Sequence, residues 1–294
     1  MAKPRVAILG LGIMGSGMAS RLLEEGFPVS VFNRNQEKAR PFAARGAFVT
    51  NSPREAATGS EVILSMVADD TASREVWLGA NGALAAELRG ALLIESSTLS
   101  VAWVKELAAE AEKQGCDFLD APVTGSKPHA ESGQLLFLAG GSEQGFERAQ
   151  PVWSVLGRDA IHLGPVGSGA LMKLVNNFLA AVQTVSFAEA LALLDAGGLN
   201  REKAISILSE GVPGSPMIKR AAARVLSGDF SPHFLMPLMA KDIRYAIQEG
   251  AERQVDLGTA RAALRIFEAA LDAGYGGRDF TAVTQALTAE KVPR

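Results

Sequence analysis

A chain of 294 residues with 48% hydrophobic content is long enough to bury one large core or two smaller ones. Its 29 basic and 32 acidic residues leave a net charge of −3, which gives no footprint for nucleic acid or an anionic membrane surface. Cys116 is the only cysteine, so an intrachain disulfide is excluded, and His129, His162 and His233 lack metal-ligand spacing, so no metal site is expected.

The first apolar run, Val6 to Leu9, opens directly into Gly10-Leu-Gly-Ile-Met-Gly15, a G-x-G-x-x-G pattern. Gly10 suits a tight strand-to-helix turn, Gly12 lets the backbone approach a pyrophosphate, and Gly15 allows close packing of helix on strand. With Ile13 and Met14 they open the stretch to Glu25, which predicts a helix whose free N–H groups favour negative charge. A second strand, Pro28 to Phe32, follows, and that context makes this a dinucleotide site rather than a structural turn. The strand ends in Asn33-Arg34-Asn35, where a site for NAD would carry an acid for the ribose 2′-hydroxyl. Neutral Asn33 and the guanidinium of Arg34, helped by Asn35 and Lys38, suit a 2′-phosphate, which predicts NADPH/NADP as cofactor and NADH as a weaker one.

The N-terminus enters the first strand at once, leaving no room for a targeting segment, and no apolar run reads as membrane-spanning. A cytoplasmic protein without a membrane partner is expected. Strand-like Val62–Val67, Ala91–Ser96, Asp117–Asp120, Gln134–Ala139 and Ile161–Leu163 alternate with helical stretches, one from Val101 to Gly115, as in a mainly parallel, doubly wound α/β sheet. After the glycine-rich Gly164–Gly169, Ala170–Ala196 carries no proline or glycine and predicts one long helix. The remainder to Arg294 is Ala- and Leu-rich with helical periodicity. The expected organisation is a dinucleotide-binding domain over residues 1–165 and an all-helical substrate and dimerisation domain over 166–294, with a ligand cleft between them.

Three clusters could supply chemistry. Asp120-Ala-Pro-Val-Thr-Gly-Ser-Lys127 joins a strand end to a loop, Thr124-Gly125-Ser126, able to present N–H and O–H donors to a carboxylate, although such residues also make ordinary turns. Lys173 and Asn177, with Asn176, share one helix face, so an ammonium and an amide point the same way. A lysine there can protonate a carbonyl oxygen as hydride reaches its carbon. Lys241-Asp242 offers a second ammonium for a substrate carboxylate, or an exposed charge pair.

Taken in order, the glycine fingerprint with Met18-Ala19, Asp120-Ala-Pro-Val-Thr-Gly125, Gly167-Ser-Gly169 leading to Lys173-Leu-Val-Asn-Asn177, and Lys241-Asp242 resemble the β-hydroxyacid dehydrogenase family, of the 3-hydroxyisobutyrate dehydrogenase type, over essentially the whole chain. The resemblance implies a Rossmann domain, a helical domain joined by a long helix, NAD(P)-dependent interconversion of a hydroxy acid and its aldehyde or keto acid, and a homodimer or homotetramer. It implies Lys173 as the catalytic lysine and Asn177 as the residue that orients the substrate. Thr124, Gly125 and Ser126 would hold the carboxylate, and Lys241 would reach it from the helical domain. Met66, Val67 and Thr98 would line the nicotinamide and ribose, and Asp242 would belong to the cofactor set.

Ser126, where the family usually has a second glycine, followed by Lys127-Pro128 and Glu131-Ser-Gly-Gln-Leu135, looks like the glyoxylate and succinic semialdehyde reductase branch, whose members favour NADPH. Lys127 either faces solvent or adds a cation for a second acidic group. The expected reaction is NADPH-dependent reduction of a small aldehyde acid, with 3-hydroxyisobutyrate or tartronate semialdehyde as alternative chemistry. An imine reductase is disfavoured by Lys173, and a non-catalytic NADP-binding module by the retained lysine and the lack of an extra basic domain. A phosphogluconate-type decarboxylating enzyme would be expected to have a much longer helical domain.

Overall fold

The computed structural model describes residues 3–288. By compactness the chain divides into residues 1–173 and 174–294. The division lies inside a continuous helix, whereas the sequence places it at 165/166, just before that helix begins.

The first unit is built on nine strands: β1 (Val6–Leu9), β2 (Val29–Phe32), β3 (Phe48–Val49), β4 (Val62–Ser65), β5 (Leu92–Glu95), β6 (Asp117–Asp120), β7 (Val123–Thr124), β8 (Leu135–Gly141) and β9 (Gly157–His162). Their order is β3-β2-β1-β4-β5-β6-β8-β7, with β9 beside β8. From β3 to β6 every pairing is parallel. Beyond β6 the expected parallel pattern changes, because β8 runs antiparallel to both β6 and β7. β3 and β7 are two residues each, too short for an alternating or apolar signature, and the sequence reading missed both. Strands covered on both faces are mostly apolar, and all four residues of β1, β4 and β5 are buried, the polar Ser65 and Glu95 only at the carboxyl ends of β4 and β5.

Helices α1 (Ile13–Glu24), α2 (Arg40–Ala43), α3 (Pro53–Ala57), α4 (Asp70–Leu78), α5 (Val101–Lys113), α6 (Lys127–Glu131), α7 (Glu143–Arg148) and α8 (Gln150–Leu156) connect these strands. Several starts are set locally by a capping oxygen: Ser52 before α3, Asp69 before α4 and Ser100 before α5 each accept a backbone N–H from the first turn.

The next helix, α9 (Ser168–Ala196), runs unbroken for 29 residues, as expected from the lack of proline and glycine. Its start is held from the sheet. Asp120, at the end of β6 and fully buried, accepts Gly167 N–H through Oδ1 and Ala170 N–H through Oδ2, both at 2.8 Å. Gly167 has φ +93°, and a Cβ on Gly169 would stand 2.1 Å from the carbonyl oxygen of Leu138. The Gly-Ser-Gly sequence is therefore a packing requirement as well as a flexible break. Contrary to the sequence reading, α9 is long and apolar enough to cross a membrane by length and composition. Its Ala181, Val185 and Ala188 are buried in the core of the second unit.

The second unit is helical: α10 (Arg201–Glu210), α11 (Pro216–Ser227), α12 (Met236–Glu252), α13 (Gly258–Asp272) and α14 (Val283–Thr288). Among its described residues there is no strand, only an isolated bridge between Leu235 and Asp279. The helical expectation for 289–294 lies outside the described residues. Phe267, Met236, Met239 and Ile243 pack against the α9 residues named above, each large side chain contributing about 1.5–3 kcal/mol by leaving water.

Candidate active site

The glycine fingerprint forms the turn from β1 into α1. Gly10 has φ +103°, and a Cβ there would lie 2.3 Å from the Met66 carbonyl oxygen at the end of β4. A Cβ on Gly15 would lie 2.0 Å from the Gly10 carbonyl oxygen. Gly12 differs: it begins α1 with φ −75° and no side-chain cap, and a Cβ there would meet nothing within 4 Å. Two glycines thus close the turn, and the third leaves open space beside uncapped N–H groups. There is no acidic side chain in the first turn of α1, where Ile13 is exposed and Met14 half-buried. These features fit a pyrophosphate, which needs N–H donors, a favourable helix dipole and close approach of the backbone.

At the end of β2, Asn33 has a task the sequence did not reveal. Its Oδ1 accepts Leu11 N–H at 2.9 Å and its Nδ2 donates to the Asn35 carbonyl at 2.8 Å. The amide ties the glycine turn to the strand end. Asn35 in turn accepts Glu37 N–H through its own side chain. Neither side-chain oxygen is idle, while Arg34 and Lys38 are exposed, and among the described residues Arg34 makes no ion pair or hydrogen bond. A 2′-phosphate on this side would be met by Arg34, with Lys38 near it in sequence.

The loops after β4 and β5 carry Met66, Val67 and Thr98. Met66 N–H donates to the Leu9 carbonyl, continuing the ladder past β4. Val67 N–H donates to Ser97 Oγ at 2.8 Å, linking the two loops, and Thr98 is half-buried. In parallel sheets ligands bind at the carboxyl ends of the strands, where these loops stand.

In the third loop, Thr124 belongs to β7 and Gly125 has φ +129°. Ser126 begins α6, its Oγ 3.0 Å from His129 Nδ1, and its N–H also donates to that nitrogen. His129, read from sequence as one of three scattered histidines, is thereby part of this loop. Lys127 is exposed, with its ammonium 3.8 Å from Glu131. Burial pushes the Asp120 carboxyl up to about 6, although the Gly167 and Ala170 N–H bonds pull it down. Burial likewise raises the Cys116 thiol, which disfavours the thiolate a nucleophile would need.

On α9, Lys173 is half-buried and Asn177 buried, one turn apart. Asn176 Nδ2 donates to Asn177 Oδ1 at 2.9 Å, and Asn177 Nδ2 donates to Asp242 Oδ2 at 2.6 Å. Lys241 Nζ stands 3.0 Å from Asp242 Oδ1, and also lies over the Tyr245 ring. The sequence put Asp242 with the cofactor; here its buried carboxylate engages the two side chains assigned to substrate. Among the described residues no group of three His, Cys, Asp or Glu could hold a metal ion.

Residues 5–164 match the family model of the NAD binding domain of 6-phosphogluconate dehydrogenase, and residues 167–287 that of the NAD-binding domain of NADP-dependent 3-hydroxyisobutyrate dehydrogenase. The chain is 35% identical over 282 residues to glyoxylate/succinic semialdehyde reductase 1 of Arabidopsis thaliana, covering 96% of this chain and 98% of that one. It is 34% identical over 297 residues to mitochondrial 3-hydroxyisobutyrate dehydrogenase of Rattus norvegicus, covering 99% and 89%. The solved structure of Mycobacterium tuberculosis 3-hydroxyisobutyrate dehydrogenase with L-serine superposes with a TM-score of 0.88 at 31% identity, covering 98% and 100%. With both parts of the chain matched and the glycine turn built to receive a dinucleotide, the protein belongs to the β-hydroxyacid dehydrogenase family and is an NAD(P)-dependent oxidoreductase.

Proposed function

We propose that the protein reduces a small aldehyde acid, of the glyoxylate or succinic semialdehyde class, to its hydroxy acid with NADPH as the preferred cofactor. The observation that carries this reading is the set on α9 and α12: an ammonium at Lys173 one turn from an amide at Asn177 that is fixed by Asp242, which also holds the Lys241 ammonium. The name of the Arabidopsis relative supports the aldehyde-acid class.

The bound nicotinamide supplies the hydride. Hydride arrival at a carbonyl carbon leaves negative charge on the oxygen, and Lys173 stabilises that charge and donates its proton there. Asn177 orients the substrate and cannot rotate freely, because Nδ2 is committed to Asp242. Thr124, Gly125, Ser126 and Lys241 hold the substrate carboxylate, so that remote binding energy positions the carbonyl. Arg34 meets the 2′-phosphate. The reading includes a cytoplasmic homodimer or homotetramer.

Oxidation of 3-hydroxyisobutyrate is the second reading, favoured by the rat relative at nearly the same identity and fuller coverage of this chain. One or two methylenes change pocket fit by only about 1–3 kcal/mol, so the two readings differ in rate ratios rather than in machinery. Steady-state kinetics on glyoxylate, succinic semialdehyde, tartronate semialdehyde and 3-hydroxyisobutyrate, each with both cofactors, tests the proposal. The highest kcat/KM is expected for one of the first two with NADPH; a highest value for 3-hydroxyisobutyrate oxidation with NAD overturns it.

A further inference from the structure

Glu95 ends β5 completely buried, and no motif reading gave it a task. Its Oε2 accepts Ser73 Oγ–H at 2.7 Å and Trp77 Nε1–H at 2.8 Å, and its Oε1 accepts Ser97 N–H at 2.9 Å. Indole and backbone N–H groups can only donate. Ser73 Oγ accepts the Trp103 indole N–H at 2.9 Å, which directs its own proton to Glu95. Every group facing this carboxylate is therefore a donor, and the whole set points one way. One indole and a serine on α4 hold Oε2, with the Trp103 indole of α5 behind the serine, and the remaining oxygen holds the backbone of Ser97.

Ser97 passes the constraint on. Its hydroxyl accepts Val67 N–H at 2.8 Å, joining the loop after β5 to the loop after β4. The same loops are tied again further along, where Asp70 accepts Ser100 N–H at 3.0 Å and Ser100 Oγ–H at 2.6 Å. Val67 is held directly by the first tie, and Thr98 lies between the two.

We propose that Glu95 and Ser97 are positioning residues that lock these two loops into one ledge for the nicotinamide and ribose, acting on the cofactor only through Val67 and Thr98. The inference rests on the reading that Val67 and Thr98 face the cofactor. Preorganised loops bind without the cost of ordering, so cutting the tie weakens binding while the sheet beneath stays folded.

The test is fluorescence titration of NADPH on Ser97→Ala, Glu95→Gln and Thr98→Val, with melting temperature measured beside it. Ser97→Ala is expected to raise the Kd for NADPH about ten-fold with the melting temperature lowered by no more than about 3 °C, since one hydrogen bond is lost. Glu95→Gln sets an amide N–H₂ against donors; it is expected to raise Kd similarly and to lower the melting temperature further. An unchanged Kd in Ser97→Ala, with Thr98→Val raising it, overturns the inference and leaves the cofactor reading standing. An unchanged Kd in both Ser97→Ala and Thr98→Val overturns the reading on which the inference rests.

Discussion

Asn177 Nδ2 donates to Asp242 Oδ2 at 2.6 Å, joining residues 65 positions apart within the helical unit. The bond decides which way the amide points, and the other carboxylate oxygen faces Lys241. Asp242→Asn should therefore disturb at once the two groups proposed to face the substrate. The expected result is a KM for the aldehyde acid raised about ten-fold or more, with NADPH affinity nearly unchanged, because a charge-assisted contact of about 1.5–3 kcal/mol is lost. Fluorescence titration beside steady-state kinetics checks it; weakened NADPH binding with normal substrate KM would favour instead the cofactor role that the resemblance implies for Asp242.

Lys173 separates catalysis from binding. Lys173→Ala should fold, bind NADPH almost normally and lose about 10²–10⁴ in kcat. Lys173→Arg should restore little, since guanidinium keeps the charge and hardly releases its proton. Retention of most of the wild-type kcat by Lys173→Ala would reject the general-acid assignment.

Arg34→Ala should raise the KM for NADPH about ten- to a hundred-fold and that for NADH far less. Equal losses with both cofactors would show that Arg34 does not read the phosphate. Asn33→Asp, an obvious change toward NADH from sequence alone, is a poorer probe in this fold. It replaces the Nδ2 donor to Asn35 by an oxygen and so loosens the turn as well as altering charge.

The three fingerprint glycines should behave differently. Gly12→Ala fits its backbone and open surroundings, so the melting temperature should hold while NADPH affinity falls. Gly10→Ala and Gly15→Ala force a methyl against a carbonyl oxygen and should cost about 1–3 kcal/mol or more of stability. Thermal melts of the three variants, with and without NADPH, distinguish turn closure from ligand approach.

Asp120 gives a pH dependence with a definite sign. Its folded value of about 6 lies above the ordinary carboxylate value, so the folded state favours the protonated form. The stabilisation is present below about pH 4 and is lost as pH rises through about 6, amounting to about 3 kcal/mol. Urea unfolding of wild type and Asp120→Asn from pH 4 to pH 7.5 should show their stability difference falling with pH in the wild type's disfavour. A difference that grows with pH would contradict it.

The alternation of apolar runs and helices was enough to read the doubly wound sheet, because strands covered on both faces have little choice but continuous Val, Ile and Leu. The antiparallel turn of β8 onto β6 was not legible: pairing direction is set by a short connection and tertiary packing, which leave no periodic mark. Within the site, Gly10 and Gly15 were readable because each meets a backbone demand of its own, whereas the open space at Gly12 is a demand only a ligand would make. Asn33 and Asn35 were readable as polar loop residues, yet the direction of their amides depends on Leu11 and Glu37. Glu95 was hidden for another reason. Its donors come from Ser73, Trp77 and Ser97, and helical periodicity shows α4 as amphipathic without showing which of its polar groups turns inward.

The indoles around Glu95 also divide the molecule spectroscopically. All three tryptophans, Trp77, Trp103 and Trp153, are buried in residues 1–173, and both tyrosines, Tyr245 and Tyr275, stand in residues 174–294. Tryptophan emission during denaturation therefore follows loss of the dinucleotide unit alone, and tyrosine absorbance follows the helical unit. Because two-state behaviour is an approximation that chains with more than one unit often break, the two signals ask whether α9 couples its two ends into one transition. Coincident midpoints would mean that a single cooperative melt carries both Lys173 and Asn177.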